Sequence, residues 1–307
     1  LVHGSWGDCR AAALLVASLS VRLLVPVFVL LMAAPTRSDL LVTTEWLAAH
    51  LDDPGIRVVE LRRLGAEDYA QGHVPGAVFV ENDAIRDPRN PPTFLPSVQA
   101  FETLMGRLGI SNSTRVLAYD ERGGIYAARL WWILNYFGHS NVALVDGGWT
   151  KWTREGRPVS VEPARPRPAR FAARPDPRWL ATAEDVLAAI DKPGIRIVDA
   201  RTRAEIEGRD PRGIRRAGFI PSSVPVYWED ALDPELLTFK PESELRRLYE
   251  SRGVRTDEEV IAYCQVGMRA SHDLFVLRLL GASKLRNYLG SWEEWGNRDD
   301  LPIATVK

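Results

Sequence analysis

The chain has 307 residues, 46% of them hydrophobic and 26% charged, with a formal net charge of -1. That length suits one large domain or two of about 140–150 residues, in an ordinary globular composition. A charge so near zero excludes binding to nucleic acid through a global basic field, and two cysteines, Cys9 and Cys264, are too few for a disulfide framework.

Residues 1–38 read as a leader outside the fold. Ala11 to Ala34 is apolar but interrupted by Arg22 and Pro26. Neither half reaches the roughly 18–20 residues of a membrane span, so no stable span is expected. A poor signal peptide ending near Ala34 is one reading. The favoured one is a translation start at Met32, before a soluble MAAPTRSD beginning.

Residues 39–156 then alternate short apolar runs with helical periodicity. Helices are predicted over Thr44 to Leu51, Val98 to Leu108 and Ala127 to Phe137. Strands are predicted over Ile56 to Val59, Ala77 to Val80 and Val116 to Tyr119, with a last one before a Trp-rich turn. Residues 157–178 form a linker, where six prolines from Pro158 to Pro177 predict an extended tether with solvated arginines. Residues 179–307 repeat the first pattern. Helices are predicted over Ala183 to Ile190, Ser243 to Ser251 and, from near Ser271, to Leu280; strands are predicted over Ile195 to Val198 and Val260 to Tyr263.

The second half repeats the first residue for residue in places. LVTTEWLAAHLDDPGIRVVELR (41–62) matches LATAEDVLAAIDKPGIRIVDAR (180–201), GHVPGAVFV (72–80) matches GFIPSSVPV (218–226), and LAYD (117–120) matches IAYC (261–264). A period of roughly 140 residues is too long for a solenoid and reads as a duplicated domain. The expected class is α/β, each copy a mostly parallel sheet flanked by helices. Such sheets bind ligands at the carboxyl ends of their strands, where Cys264 stands.

In IAYCQVGMRASHD (261–273) a strand ends on Cys264 and a helix follows a short turn. Unpaired first-turn amides and a curled loop, Gln265, Val266, Gly267 and Met268, form an anion cradle. Gly267 permits the curl, and Arg269 adds a positive charge. A cysteine in that field is expected to be a thiolate nucleophile. A lone cysteine after a strand is commonly just a small buried hydrophobe; its glycine, arginine and helix start favour the reactive reading. The first copy carries Asp120 at this position and is expected to be inactive. Arg212, Arg215 and Arg216 form a basic patch, read as a solvated loop with cleft lining as the alternative. The Trp clusters read as packing.

Taken together, the tandem repeat, VPGAVFV (74–80), LVDGGWTKW (144–152), CQVGMR (264–269) and NYLGSWEEWGNRDDLPI (287–303) resemble the tandem rhodanese family of thiosulfate and 3-mercaptopyruvate sulfurtransferases. The resemblance implies two rhodanese domains, a persulfide on Cys264, no cofactor, a small anionic sulfur donor and a thiophilic acceptor such as cyanide or a thiol. It carries Arg201 over as a grip on the donor's anionic part, Arg269 as the end of the active loop, and His73 as a cleft residue. Glu60 departs from the family's Asp, Phe219 from a common His, and Gln265 and Val266 from the basic or hydroxyl residues of its animal and mercaptopyruvate branches. The charge of the arginines favours thiosulfate over mercaptopyruvate. A cysteine phosphatase, whose loop has five residues between Cys and Arg where this one has four, and a non-catalytic binding module are the more distant readings. No metal or nucleic-acid partner is expected. A single free catalytic thiol suits the cytoplasm, with a periplasmic or secreted location if residues 1–34 are a signal.

Overall fold

A computed structural model describes residues 1–4, 36–63, 65–91 and 93–306. The expectations for Cys9, Met32 and most of the leader lie outside these residues. The predicted leader ends slightly too late, since helix α1 (Arg37–Leu40) begins inside it, with Asp39 accepting from the Thr36 amide at 2.9 Å.

The first half continues with β1 (Leu41–Val42), α2 (Thr44–Ala49), β2 (Ile56–Glu60), α3 (Ala66–Gln71), β3 (Val78–Phe79), α4 (Val98–Arg107), β4 (Arg115–Tyr119), α5 (Ile125–Tyr136), β5 (Val142–Val145) and α6 (Gly148–Arg154). The second half comprises β6 (Leu180–Ala181), α7 (Ala183–Ala189), β7 (Ile195–Asp199), α8 (Arg203–Ile206), β8 (Val224–Pro225), α9 (Glu242–Glu250), β9 (Glu259–Tyr263), α10 (Met268–Leu279), β10 (Leu285–Tyr288) and α11 (Ser291–Trp295). Each half builds a five-stranded sheet, in the orders β1-β5-β4-β2-β3 and β6-β10-β9-β7-β8, with parallel pairing. The second order is the first shifted by five, so the sequence repeat is a repeat of topology. Both sheets lie in one compact unit, Ala34–Lys307.

Helix α5, IYAARLWWILNY, is apolar around most of its circumference. A helix of that kind must be covered on every side. Its own sheet covers one side, and α10 of the other half covers another. Trp131 meets Phe275 there edge to face, with ring centroids 5.2 Å apart. The Trp-rich segments are the helices α6 and α11 rather than turns, with Trp152 and Trp295 fully buried. Strand β3 falls within the predicted Ala77 to Val80, whereas β1, β6 and β8, of two residues each, are too short to show a period in the sequence.

Two expectations need correction. Helix α10 starts at Met268, three residues before Ser271, because Gly267 adopts the left-handed conformation (φ 77°) and turns the chain into the helix at once. The linker is extended but is no free tether: Ser160 exchanges two backbone hydrogen bonds with His73, each 2.9 Å. The amides of Ala169, Arg174 and Asp176 donate to Gly106, Phe137 and Tyr136 of the first half, and Phe171 buries its ring against Phe101. Proline removes ladder donors but leaves the intervening amides free to strap the segment down.

No helix among the described residues is long and apolar enough to cross a membrane. No group of His, Cys, Asp and Glu among them is placed to hold a metal ion.

Candidate active site

Strand β9 is the middle strand of the second sheet and carries Cys264 past its carboxyl end. Three carbonyls of this loop, those of Cys264, Gln265 and Gly267, are clamped from outside. The amide of Trp292 donates to Cys264 O (2.9 Å), that of Glu293 to Gln265 O (3.1 Å), and Asn287 Nδ2 to Gly267 O (2.8 Å). Ser291, itself held in a left-handed turn (φ 50°), accepts from the Cys264 amide at 3.1 Å and donates to Tyr288 O at 2.7 Å. Gly267 fits because a Cβ there would lie 2.6 Å from Leu289 Cδ2.

With the carbonyls held outward, the amides of Gln265 through Ala270 have no acceptor among the described residues. They are the first-turn donors of α10 and the loop before it. Such a run is an anion nest, and the helix dipole adds to it.

Cys264 is fully buried from bulk water, yet it forms part of the floor of a cleft of about 320 Å³ that both halves line. Gln265, Val266, Met268 and Arg269 line the same cleft, and Gly267 turns the loop beneath it. Arg269 gives both guanidinium arms to Glu205, at 2.6 and 2.8 Å. Burial works against the Arg269 charge, but Glu205 and then Cys264 more than offset it, so its pKa rises. Burial likewise opposes the Glu205 charge, and Arg269 and Thr202 overcome it, holding the carboxyl down to about 2. The charged rim includes Arg122, which approaches Glu229 at 3.7 Å, and Arg212, 51% exposed and 3.9 Å from Glu205.

Two transferred residues do not face this cleft. Arg201 is buried with both arms on Asp199 (Nε to Oδ1 2.9 Å, Nη2 to Oδ2 2.7 Å) and donates to Gly218 O at 2.8 Å. Its guanidinium lies 4.2 Å over Trp292. It therefore braces the sheet and α11 and does not line the cleft at Cys264. His73 has Tyr69 O at 2.9 Å from Nδ1 and Glu162 O at 3.1 Å from Nε2. It stacks on Tyr69 beneath the strap, with both nitrogens occupied. Of the basic patch, Arg212 reaches the cleft, whereas Arg216 donates to the carbonyls of Trp295 and Leu301 in the carboxyl-terminal segment.

Glu205 escaped the sequence reading. Thr202 and Glu205 form a capping box, a signal present in the sequence as T-x-x-E, but its other partner stands 64 residues away. Ser291 and Arg122 also escaped, having no local motif. A larger cavity, about 690 Å³ between Trp179 and Arg286, is lined without any cysteine.

In the first half the equivalent loop solves the same problem differently. Asp120 takes the place of Cys264, and its two carboxylate oxygens accept from the amides of Arg122 (2.8 Å), Gly124 (2.8 Å), Tyr126 (2.7 Å) and Ala127 (2.9 Å). Burial raises its pKa above the ordinary carboxylate range, and the four amides restrain the rise.

The Rhodanese-like domain model matches residues 43–155 and again 182–298. The sulfur carrier protein TtuD of Thermus thermophilus is 39% identical over 288 residues, covering 87% of this chain and 96% of that protein. Thiosulfate sulfurtransferase of Bos taurus is 36% identical over 275 residues, covering 84% and 92%. The crystal structure of the 3-mercaptopyruvate sulfotransferase SseA from Escherichia coli matches with a TM-score of 0.73 at 30% identity, covering 82% of this chain and 98% of that one.

Proposed function

From the premise that this chain belongs to the rhodanese family and is a sulfurtransferase, we propose that Cys264 carries the sulfur and that thiosulfate is its donor. One observation carries the reading: six consecutive amides without acceptors, and Arg269, converge on the loop that begins at this thiol. The Cys264 thiolate attacks the outer sulfur of thiosulfate. The sulfur–sulfur bond of the donor breaks, sulfite leaves with the electron pair, and Cys264 is left as a persulfide anion. A thiophile, cyanide or a cellular thiol, then attacks the outer sulfur and frees the thiolate. The negative charge stays near one place throughout, where fixed dipoles stabilise it without reorganising.

The preference for thiosulfate rests on the cations of the cleft, Arg122, Arg212 and Arg269, which suit a compact inorganic dianion. Val266 offers no hydroxyl to an organic acid. The first domain has no such role, because Asp120 is not a sulfur nucleophile. A free nucleophilic thiol supports a reducing, cytoplasmic setting, which cell fractionation tests.

Steady-state kinetics with thiosulfate and 3-mercaptopyruvate side by side decide the donor; a higher kcat/KM for mercaptopyruvate overturns that assignment alone. Mass spectrometry after thiosulfate should show one added sulfur on Cys264 and none in Cys264→Ser. An unmodified Cys264 with both donors, together with turnover of a chromogenic phosphate ester, would point to phosphatase chemistry instead.

A further inference from the structure

The two helices that cross at the domain interface, α5 and α10, are equivalent elements of the repeat. Each follows its domain's loop, so that Arg129 occupies in α5 the place His272 occupies in α10. His272 reaches across the interface: its Nε2 lies 3.0 Å from the carbonyl of Gly123, in the Asp120 loop. The halves share one topology and pack through α5 and α10, so the place in α5 that corresponds to His272 falls to Arg129 on the side of the Cys264 loop.

Arg129 is 2% exposed, and its Nη1 and Nη2 are buried without a hydrogen-bond partner among the described residues. Its guanidinium lies 5.0 Å over the Trp132 ring. Burying a cation without a partner is strongly unfavourable, so a guanidinium in this state points to an anion that is not always present. The groups around it leave one candidate. Arg86, the other cation near it, is committed to Glu293 at 2.9 Å and adds repulsion. On α10, Arg269 is committed to Glu205 and Asp273 accepts from Tyr249 at 2.8 Å. His272 is enclosed by Trp228 and Phe239. Near the end of the strap, Asp176 is committed to Arg178. Among the described residues Cys264 is the one acidic group near enough to favour the protonated form of Arg129.

We propose that Arg129, contributed by the first domain, is a positioning residue whose buried charge stabilises the sulfur anion on Cys264. It acts through the loop, on the side away from the cleft, and does not touch the donor. Burial and Arg86 lower its pKa to about 9, which leaves it charged at neutral pH. The first domain thereby supplies part of the field that the second domain's chemistry uses.

The inference rests on Cys264 being the sulfur-bearing thiol, and the experiment separates the two. Full-length wild type, Arg129→Lys, Arg129→Gln and Arg129→Met are compared by the pH profile of iodoacetamide alkylation at Cys264, by kcat/KM for thiosulfate, and by Tm. Removing the charge should move the alkylation profile up by about one pH unit and lower kcat/KM at neutral pH up to about tenfold, because one pKa unit changes the thiolate fraction by at most that factor. Arg129→Lys should restore most of both. A purely structural Arg129 would change Tm and leave the alkylation profile in place, and that result overturns the inference. Should Arg129→Met not fold, Arg129→Gln carries the same expectation. If wild-type Cys264 accepts no sulfur from either donor, the underlying reading fails first.

Discussion

The Asp120 and Cys264 loops are one design with two outcomes. Both follow the middle strand of a parallel sheet, turn on a left-handed glycine and lead into the helix at the domain interface. In the first, a carboxylate from the chain itself saturates the amides, and the second domain closes over it. A Cβ on Gly123 would stand 2.3 Å from Leu232 Cδ1, and one on Gly124 3.4 Å from the Phe239 ring. In the second, a neutral-sized thiol leaves the amides open beneath a cleft. The comparison teaches that an anion site becomes structural when the chain fills it and chemical when it does not.

Substitution at the nucleophile tests the open loop most severely. Cys264→Ser should lose at least about a thousandfold in kcat/KM for sulfur transfer, as expected when a covalent nucleophile is removed, with no persulfide in the mass spectrum. In the filled loop the loss should be of stability instead. Asp120→Ala strands three buried amide donors and one half-buried and should cost about 2–4 kcal/mol in urea unfolding, while Asp120→Cys should gain no persulfide because Leu232 and Phe239 cover the loop. A persulfide at residue 120 would show that the cover is unimportant. Gly267→Ala sets a side chain at positive φ against Leu289 and should cost about 1–3 kcal/mol, read as a lower urea midpoint. The smallest effect concerns the acid that holds Arg269. Glu205→Gln should lower KM for thiosulfate a few-fold, roughly 1 kcal/mol of released competition, with kcat less altered.

The same acid gives a pH test. The folded-state pKa of Glu205 lies below its ordinary value. Its contribution to stability is therefore complete above the unfolded value near 4.3 and is lost as pH falls through about 2. Unfolding measured from pH 5 to 2 should be less steeply pH-dependent in Glu205→Gln than in wild type.

Much of this was legible in the sequence, for identifiable reasons. A duplicated pattern constrains topology, so the 41–62 and 180–201 segments announced two copies of one mostly parallel domain, and the two sheets share a strand order. The place of Cys264, between a strand end and a helix start, was legible because strand, glycine and helix start are local signals. Arg201 and His73 were carried over by resemblance, and their placement failed because packing commits both: Asp199 holds one, and two backbone carbonyls hold the other. Glu205 showed only its local role as a cap, since its partner Arg269 is brought to it by the sheet. The strap was misread because proline content reports what a segment cannot do, not what its remaining amides will find.

That strap also determines where the polypeptide can be cut. Its hydrogen bonds all the way to Asp176 belong to the first half, so a fragment ending at residue 156 would expose Phe101 and leave the partners of Ala169 and Arg174 bare. An autonomous amino-terminal piece should extend through Asp176, and limited proteolysis of the intact protein should spare the proline-rich stretch despite its composition. What remains between the halves is the short turn at Pro177–Trp179, so the packing of α5 against α10 is what ties one half to the other beyond it.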